Sequence, residues 1–283
     1  MTPSNAPSRA SASAVAAPLV ELRAFVALWL ARGPAMRLAF PADLRSLAGG
    51  LAGLALTAAL LVGVAVMVDE RAIRFARSMP RAVVEGFYLI TALGASGYLF
   101  TLSAATAIGA SMATARARTA RLRAGWRVLA ARAVYLFAVL AVSGLFSQII
   151  KRLVGRARPK LMDTFGPFHF DGLSIQSTLA SFPSGHTTTA FAAATALAFF
   201  LPRWQAPLLL LACAVGMSRV FVGAHYPSDV LAGVAVGTLV AVSLARAFAR
   251  RDLVFHMVEG RLERRGEGLV RPALRSLFAR TVK

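Results

Sequence analysis

AVYLFAVLAVSGLFSQIIK, residues 133–151, decides what kind of fold this chain has. Ala133–Ile150 holds no charge, and Lys151 closes it. Crossing a bilayer takes roughly 20 mostly apolar residues, so this run reads as a membrane span whose terminal lysine can snorkel to the interface. Leu47–Val68, Gly86–Met112 and Val230–Ala249 read the same way, and the shorter Thr187–Leu201 and Leu208–Ala224 complete a set of six. Composition agrees: 57% of the 283 residues are hydrophobic and the mean hydropathy is +0.64. The expected fold is all-α, a polytopic membrane helix bundle of about six transmembrane helices.

Charge sets the orientation. A net charge of +20 would suggest nucleic acid in a soluble protein, but the excess lies in connections beside the spans, with few aromatics among the arginines. Residues 1–46 carry five Arg against two acids, residues 113–127 five Arg against none, and residues 246–283 ten bases against four acids. These are the inside segments under the positive-inside rule. Both termini are therefore expected in the cytoplasm of a bacterial-type inner membrane, and no nucleic-acid partner is expected. The 69–85 loop on the other side is nearly balanced, with Arg71, Arg74, Arg77 and Arg81 against Asp69, Glu70 and Glu85.

The chain divides into four regions. Residues 1–18, rich in Ala, Ser and Pro, read as a disordered tail. Residues 19–46 read as an interfacial region: Leu22, Phe25, Val26 and Trp29 share one helical face, and Gly33-Pro34 ends the helix. Residues 47–249 form the six-span domain, and 250–283 a basic cytoplasmic tail. Cys213 is the only cysteine, so no intrachain disulfide exists. Gly49/Gly53 and Gly233/Gly237 have the spacing that lets helix backbones approach. The uncharged second span reads as a lining helix without a chemical role.

Between Lys151 and Asp229 the chain admits charge where little is expected. An ionisable side chain at mid-membrane costs roughly 2.5 kcal/mol or more, so each such residue asks for a reason. Snorkelling explains one lysine but not Lys151, Arg152, Arg156, Arg158 and Lys160 together on the outer side. Pro159 disfavours a helical Arg158, so the helix is expected to stop there and turn the guanidinium back. Pro183-Ser184-Gly185-His186 opens the next helix, with Ser184 as N-cap and free first-turn N–H groups suited to an anion. Arg219 near the end of an apolar run also wants an anion. His225 is followed four residues later by Asp229, which can reach back to the imidazole, fix its tautomer and leave the other nitrogen free. The loop 160–182, with Phe165, Phe168 and Phe170, is either a guard over the site or an aromatic anchor at the interface.

Lys151-x6-Arg158-Pro159, Pro183-Ser184-Gly185-His186 and Ser218-Arg219-x5-His225-x3-Asp229 resemble, in order, the three motif blocks of the type 2 phosphatidic acid phosphatase superfamily of membrane lipid phosphatases, related to vanadium haloperoxidases. The resemblance covers roughly residues 145–240. It implies that Lys151, Arg158, Ser184, Gly185 and Arg219 bind a phosphoryl group, and that His225 attacks phosphorus with Asp229 orienting it. His186 would protonate the leaving oxygen and later deprotonate water. Three cations against a phosphate leave no need for a metal, and no cofactor is expected. The implied activity is hydrolysis of lipid phosphates or diphosphates, such as undecaprenyl diphosphate, phosphatidylglycerol phosphate, phosphatidate or lipid A phosphates, on the periplasmic or outer face. The alternatives are a lipid phosphotransferase using the same residues and, less favoured, an anion transporter, whose charges belong near the midplane rather than at span ends. The sequence does not choose the lipid or the oligomeric state.

Overall fold

The computed structural model describes residues 44–258, 261–266 and 268–278. The expected tail at 1–18 and all but the end of the interfacial region at 19–46 lie outside the described residues. The rest is helical: α1 Leu44–Val64, α2 Glu70–Arg77, α3 Arg81–Ala92, α4 Ser96–Arg116, α5 Ala120–Val154, the short α6 Met162–Phe165, α7 Gly185–Phe200, α8 Gln205–Phe221 and α9 Pro227–Arg250. A hairpin of β1 Phe255–Val258 and β2 Arg261–Arg264 comes next, then α10 Val270–Phe278.

Among the described residues, five stretches are long and apolar enough to cross a membrane: Ala52–Arg77, Arg81–Arg116, Ala120–Val154, Pro202–Phe221 and Pro227–Arg250. Large apolar side chains on them, Leu56, Leu60, Leu89, Leu102, Leu145, Leu210 and Leu239 among them, are exposed. Lipid is as apolar as leucine, so nothing drives these side chains inward. The protein is a multi-pass membrane helix bundle. The expected span at Thr187–Leu201 is α7, which at 16 residues falls short of the others. It is also the most enclosed, with Thr187, Thr188, Thr189, Phe191, Ala192, Ala193, Ala194 and Ala196 all buried. A helix lined by protein rather than lipid needs no full apolar length.

Two compact units are present. The larger comprises residues 37–99 and 138–244, and α7 is at its centre. Small residues let its neighbours close on it. A Cβ on Gly237 of α9 would stand 2.4 Å from the Thr188 carbonyl oxygen and 2.9 Å from the Ala192 nitrogen, and one on Gly233 2.8 Å from the Ser184 oxygen. A Cβ on Gly216 of α8 would stand 3.0 Å from Val230 Cγ1 and 3.4 Å from Thr187 Cγ2. The pair Gly233/Gly237 is thus a packing seam, as its spacing predicted, whereas Gly49 and Gly53 have nothing within 4 Å. Gly237→Ala must push backbone apart, and overpacking of this kind costs about 1–3 kcal/mol. A lower melting temperature of the purified protein in detergent is the expected result, with no change for Gly53→Ala.

The expected single span at Gly86–Met112 is interrupted at residues 93–95, where Leu93, Gly94 and Ala95 make only short turns back to Ile90, Thr91 and Ala92. Gly94 lets its neighbours come close at this point: a Cβ on it would lie 2.5 Å from Val215 and 3.1 Å from the His186 Cβ. The first span also departs from a plain helix. A π-turn over Ala65–Asp69 separates α1 from α2, and its extra residue per turn rotates α2 relative to α1, a distortion frequent at functional sites. Asp69, counted at the sequence level among balancing loop charges, is thereby fully buried.

The smaller unit comprises residues 100–137 and 245–283, as far as these are described. Ala110, Trp126 and Ala273 form its core, and Tyr135 meets Phe248 and Phe255 edge-on at 5.3 and 5.1 Å. The tail beyond residue 250 thus contributes a hairpin and a helix to a packed unit.

Candidate active site

Every candidate residue belongs to the larger unit, and the elements explain why they gather. α5 delivers Lys151 in its last turn and ends at Val154. Gly155, at φ +60°, turns the chain; a Cβ there would overlap the Asp171 carbonyl. The next residues pair with the returning loop: Arg156 bridges to Phe170, and the Ser181 N–H donates to the Arg156 carbonyl. Arg158 is extended before Pro159, as expected. The loop then reaches Ser184, which caps α7: its Oγ accepts from the Thr187 N–H at 3.5 Å and the Thr187 hydroxyl at 2.9 Å. Pro227 starts α9 and suits a first turn, where its missing N–H is not needed.

The three blocks converge. The Ser184 N–H donates to the Asp229 carbonyl at 2.9 Å, and the His225 N–H to the Arg219 carbonyl at 3.1 Å. Lys151 Nζ, buried, donates to the carbonyls of Ala180 (3.1 Å), Ser181 (3.4 Å) and Pro183. Its Cε passes 3.8 Å from where a Gly185 Cβ would be. Arg158 Nε donates to Ser177 O at 2.9 Å. Burial holds its guanidinium below the ordinary range, with Asp229 pulling the other way. Arg219 Nη1 donates to the Thr91 hydroxyl at 2.6 Å, while its buried Nε has no partner among the described residues. His186 is half-buried on the first turn of α7, and Arg219, Lys151 and Arg158 are the charges that act on its ring.

His225 is 2% exposed, and its Nδ1 faces Asp229 Oδ2 at 3.6 Å. That is too long for a good hydrogen bond, and it becomes an ion pair only when the ring carries a positive charge. Burial pushes the imidazole down to about 4; Asp229 raises it, and Lys151 and Arg158 lower it further. The ring is therefore neutral at physiological pH. With Nδ1 toward the carboxylate, Nε2 is the free nitrogen.

Sequence reasoning missed the layer behind Asp229. Arg156, one of the outer-side bases that snorkelling does not explain and that were expected to face a ligand, is instead 2% exposed and bound to protein. Its Nη1 donates to Asp229 Oδ1 and Ser228 Oγ, both at 2.7 Å, and its Nη2 to Asp69 Oδ2 at 2.8 Å and Pro167 O at 2.9 Å. Tyr226 lies under the guanidinium, 4.2 Å from ring centre to Cζ. Burial opposes its charge, but Asp229 and Asp69 together raise it above the ordinary guanidinium range. Asp229 Oδ2 accepts from Ser181 Oγ at 2.6 Å and from the Tyr226 N–H at 2.9 Å. Asp69 accepts from the Ser228 N–H at 3.0 Å and its hydroxyl at 2.5 Å. An exposed pair such as Arg74–Glu70 contributes about 0.3–0.5 kcal/mol, whereas removing one partner from a buried pair costs about 3–5 kcal/mol. The available signal was an acid, Asp69, at the end of an apolar run and an arginine between Gly155 and Ala157. Thr91 was missed because its span was read as inert.

In the loop, Phe165, Phe168 and Phe170 are half exposed, and Phe165 stacks on His169 at 4.4 Å. Among the described residues no group of three or more His, Cys, Asp or Glu could hold a metal ion.

Arranged in this way, the residues can surround a tetrahedral anion with cations and N–H donors beside a neutral imidazole, with a second imidazole at the rim. The family model of the PAP2 superfamily matches residues 132–253. A lipid A 1-phosphatase of Rhizobium etli is 37% identical over 182 residues, 64% of this chain and 78% of that protein. Phosphatidylglycerophosphatase B of Bacillus subtilis is 30% identical over 53% of this chain and 68% of its own length. The crystal structure of a transmembrane PAP2 type phosphatidylglycerolphosphate phosphatase from Bacillus subtilis aligns over 81% of this chain and 94% of its own, at 22% identity and a TM-score of 0.47.

Proposed function

Because the chain belongs to the PAP2 superfamily, we propose that it is a membrane phosphatase that hydrolyses lipid phosphate esters through a phosphohistidine on His225. The observation carrying this reading is the joining of the three blocks by the Ser184–Asp229 and Arg219–His225 backbone bonds. Lys151, Arg158 and Arg219 with the Ser184 hydroxyl and the Gly185 N–H hold the phosphoryl group. Three positive charges face about −1.5 to −2 on a phosphate monoester, so the charge spread over its equatorial oxygens is stabilised without further partners. The unpartnered Nε of Arg219 is a donor for one of those oxygens.

The reaction runs in two steps. His225 Nε2 forms a bond to phosphorus as the bond to the lipid oxygen breaks, and His186 gives that oxygen its proton. Asp229 stabilises the imidazolium. Water then attacks the phosphohistidine, His186 takes its proton, the N–P bond breaks and inorganic phosphate leaves.

We place the site on the outer face of a bacterial inner membrane, with α7 as the sixth crossing and both ends cytoplasmic, on the strength of the charge distribution. Among the substrates, the 1-phosphate of lipid A has the best support, from the Rhizobium relative. The purified protein in detergent, given a panel of lipid A 1-phosphate, undecaprenyl diphosphate, phosphatidylglycerol phosphate and phosphatidate with no acceptor lipid, should release inorganic phosphate, fastest from lipid A. No inorganic phosphate from any lipid, with a phosphorylated acceptor lipid forming once an acceptor is added, overturns hydrolysis, as does no reaction on any lipid.

A further inference from the structure

We propose that Asp69 and Arg156 are positioning residues for this reaction, a buried carboxylate–guanidinium pair that fixes Asp229 and lets it present a net negative charge to His225. This rests on the reading of His225 as nucleophile. The geometry supplies both halves of the argument.

The first half is orientation. Asp229 Oδ2 already accepts from Ser181 Oγ and the Tyr226 N–H, and it is the oxygen that faces His225 at 3.6 Å. Two bonds on one oxygen leave the carboxylate free to pivot about that side. Arg156, on Oδ1 at 2.7 Å, removes that freedom. Arg156 is itself held at both ends, by Asp229 and Ser228 on Nη1 and by Asp69 and Pro167 on Nη2. A planar guanidinium bridging two carboxylates does this in a way that a single-point ammonium does not.

The second half is charge. Lys151 and Arg158 already disfavour positive charge on His225. An Arg156 paired with Asp229 alone would cancel the one carboxylate that faces the ring. Asp69 restores the balance: two carboxylates and one guanidinium carry −1, all within a site where charge is weakly screened. The imidazolium formed as His225 takes phosphorus is stabilised by that residual charge. The ground-state phosphate, bound on the other side by cations, gains little from it. The π-turn at Ala65–Asp69 is the device that aims Asp69 inward from a helix otherwise facing lipid.

The test is kinetic. Asp69→Asn keeps shape and hydrogen-bonding capacity but removes the charge; Arg156→Lys keeps the charge but cannot span both carboxylates. In the full-length protein in detergent, kcat for a lipid phosphate should fall about 10–100-fold in each. KM and the competitive inhibition constant of inorganic phosphate should change less than about threefold, because transition-state rather than uniform binding is lost, whereas orthovanadate, which mimics the five-coordinate transition state, should lose affinity along with kcat. Asp69→Glu should recover part of kcat. A wild-type kcat in either folded variant overturns the inference, as does a loss carried entirely by KM. Failure of both variants to fold identifies a purely structural cluster and overturns it too. His225→Ala, assayed in parallel, separates the two readings. If it is inactive while Asp69→Asn turns over normally, only the positioning role falls; if it stays active, the nucleophile assignment falls with it.

Discussion

His225→Ala lowers kcat for release of phosphate from a lipid phosphate by at least about 10⁴-fold, the scale seen when a covalent nucleophile is removed from an enzyme. The site explains why no neighbour substitutes. His225 is neutral because burial disfavours its charged form, and it is aimed because Asp229 faces one nitrogen and the Arg219 carbonyl fixes its backbone. The cations proposed to hold the anion do not depend on the ring, so inorganic phosphate should still compete for the variant with little change. The wild-type protein quenched during turnover should carry acid-labile, base-stable phosphate, and the variant none. Turnover in the variant within tenfold of wild type would falsify the covalent mechanism.

The residues that were legible in the sequence share one property: each is a charge or a histidine where apolar surroundings make it expensive. Lys151, Arg158, Arg219 and His225 stood out by that cost, and the structure brings them together with Ser184 and Gly185. The hidden features depended on partners far along the chain. Asp69 and Arg156 lie 87 positions apart, and no periodicity relates them. An acid at the end of a span looks the same whether it faces water or, through a π-turn, the protein interior. The break at residues 93–95 was hidden as well, because a glycine within an apolar run is compatible with an unbroken helix, and the neighbours that approach it, His186 and Val215, lie far along the chain. The hairpin after residue 250 was lost among basic residues, although Tyr135 and Phe255 now show what it packs on. Apolar length and charge placement are local properties and survive translation into sequence; pairing and helix distortion belong to the packed state.

His186→Ala separates the two chemical steps. General acid–base catalysis by a positioned side chain contributes about 10²–10⁴-fold, so kcat on a lipid phosphate, whose alkoxide leaves poorly, should fall by that range. With an aryl phosphate the leaving oxygen needs no proton, and His225 can be phosphorylated at a rate close to wild type. Hydrolysis of the phosphohistidine still lacks its base. The variant should therefore give a burst of about one aryl alcohol per site and then a slow steady state, with labelled phosphate accumulating on the protein. His186 is half-buried on the first turn of α7, where Arg219, Lys151 and Arg158 act on its ring, and the proposed role requires it to reach both the leaving oxygen and the incoming water. Equal loss on lipid and aryl substrates, with no burst, would mean that His186 shapes the cradle instead of moving a proton. Its Cβ packs against Gly94, so His186→Gln, which fills that space without a titrating group, distinguishes the two: it should behave as the alanine variant does if proton transfer is the role, and recover activity if shape is.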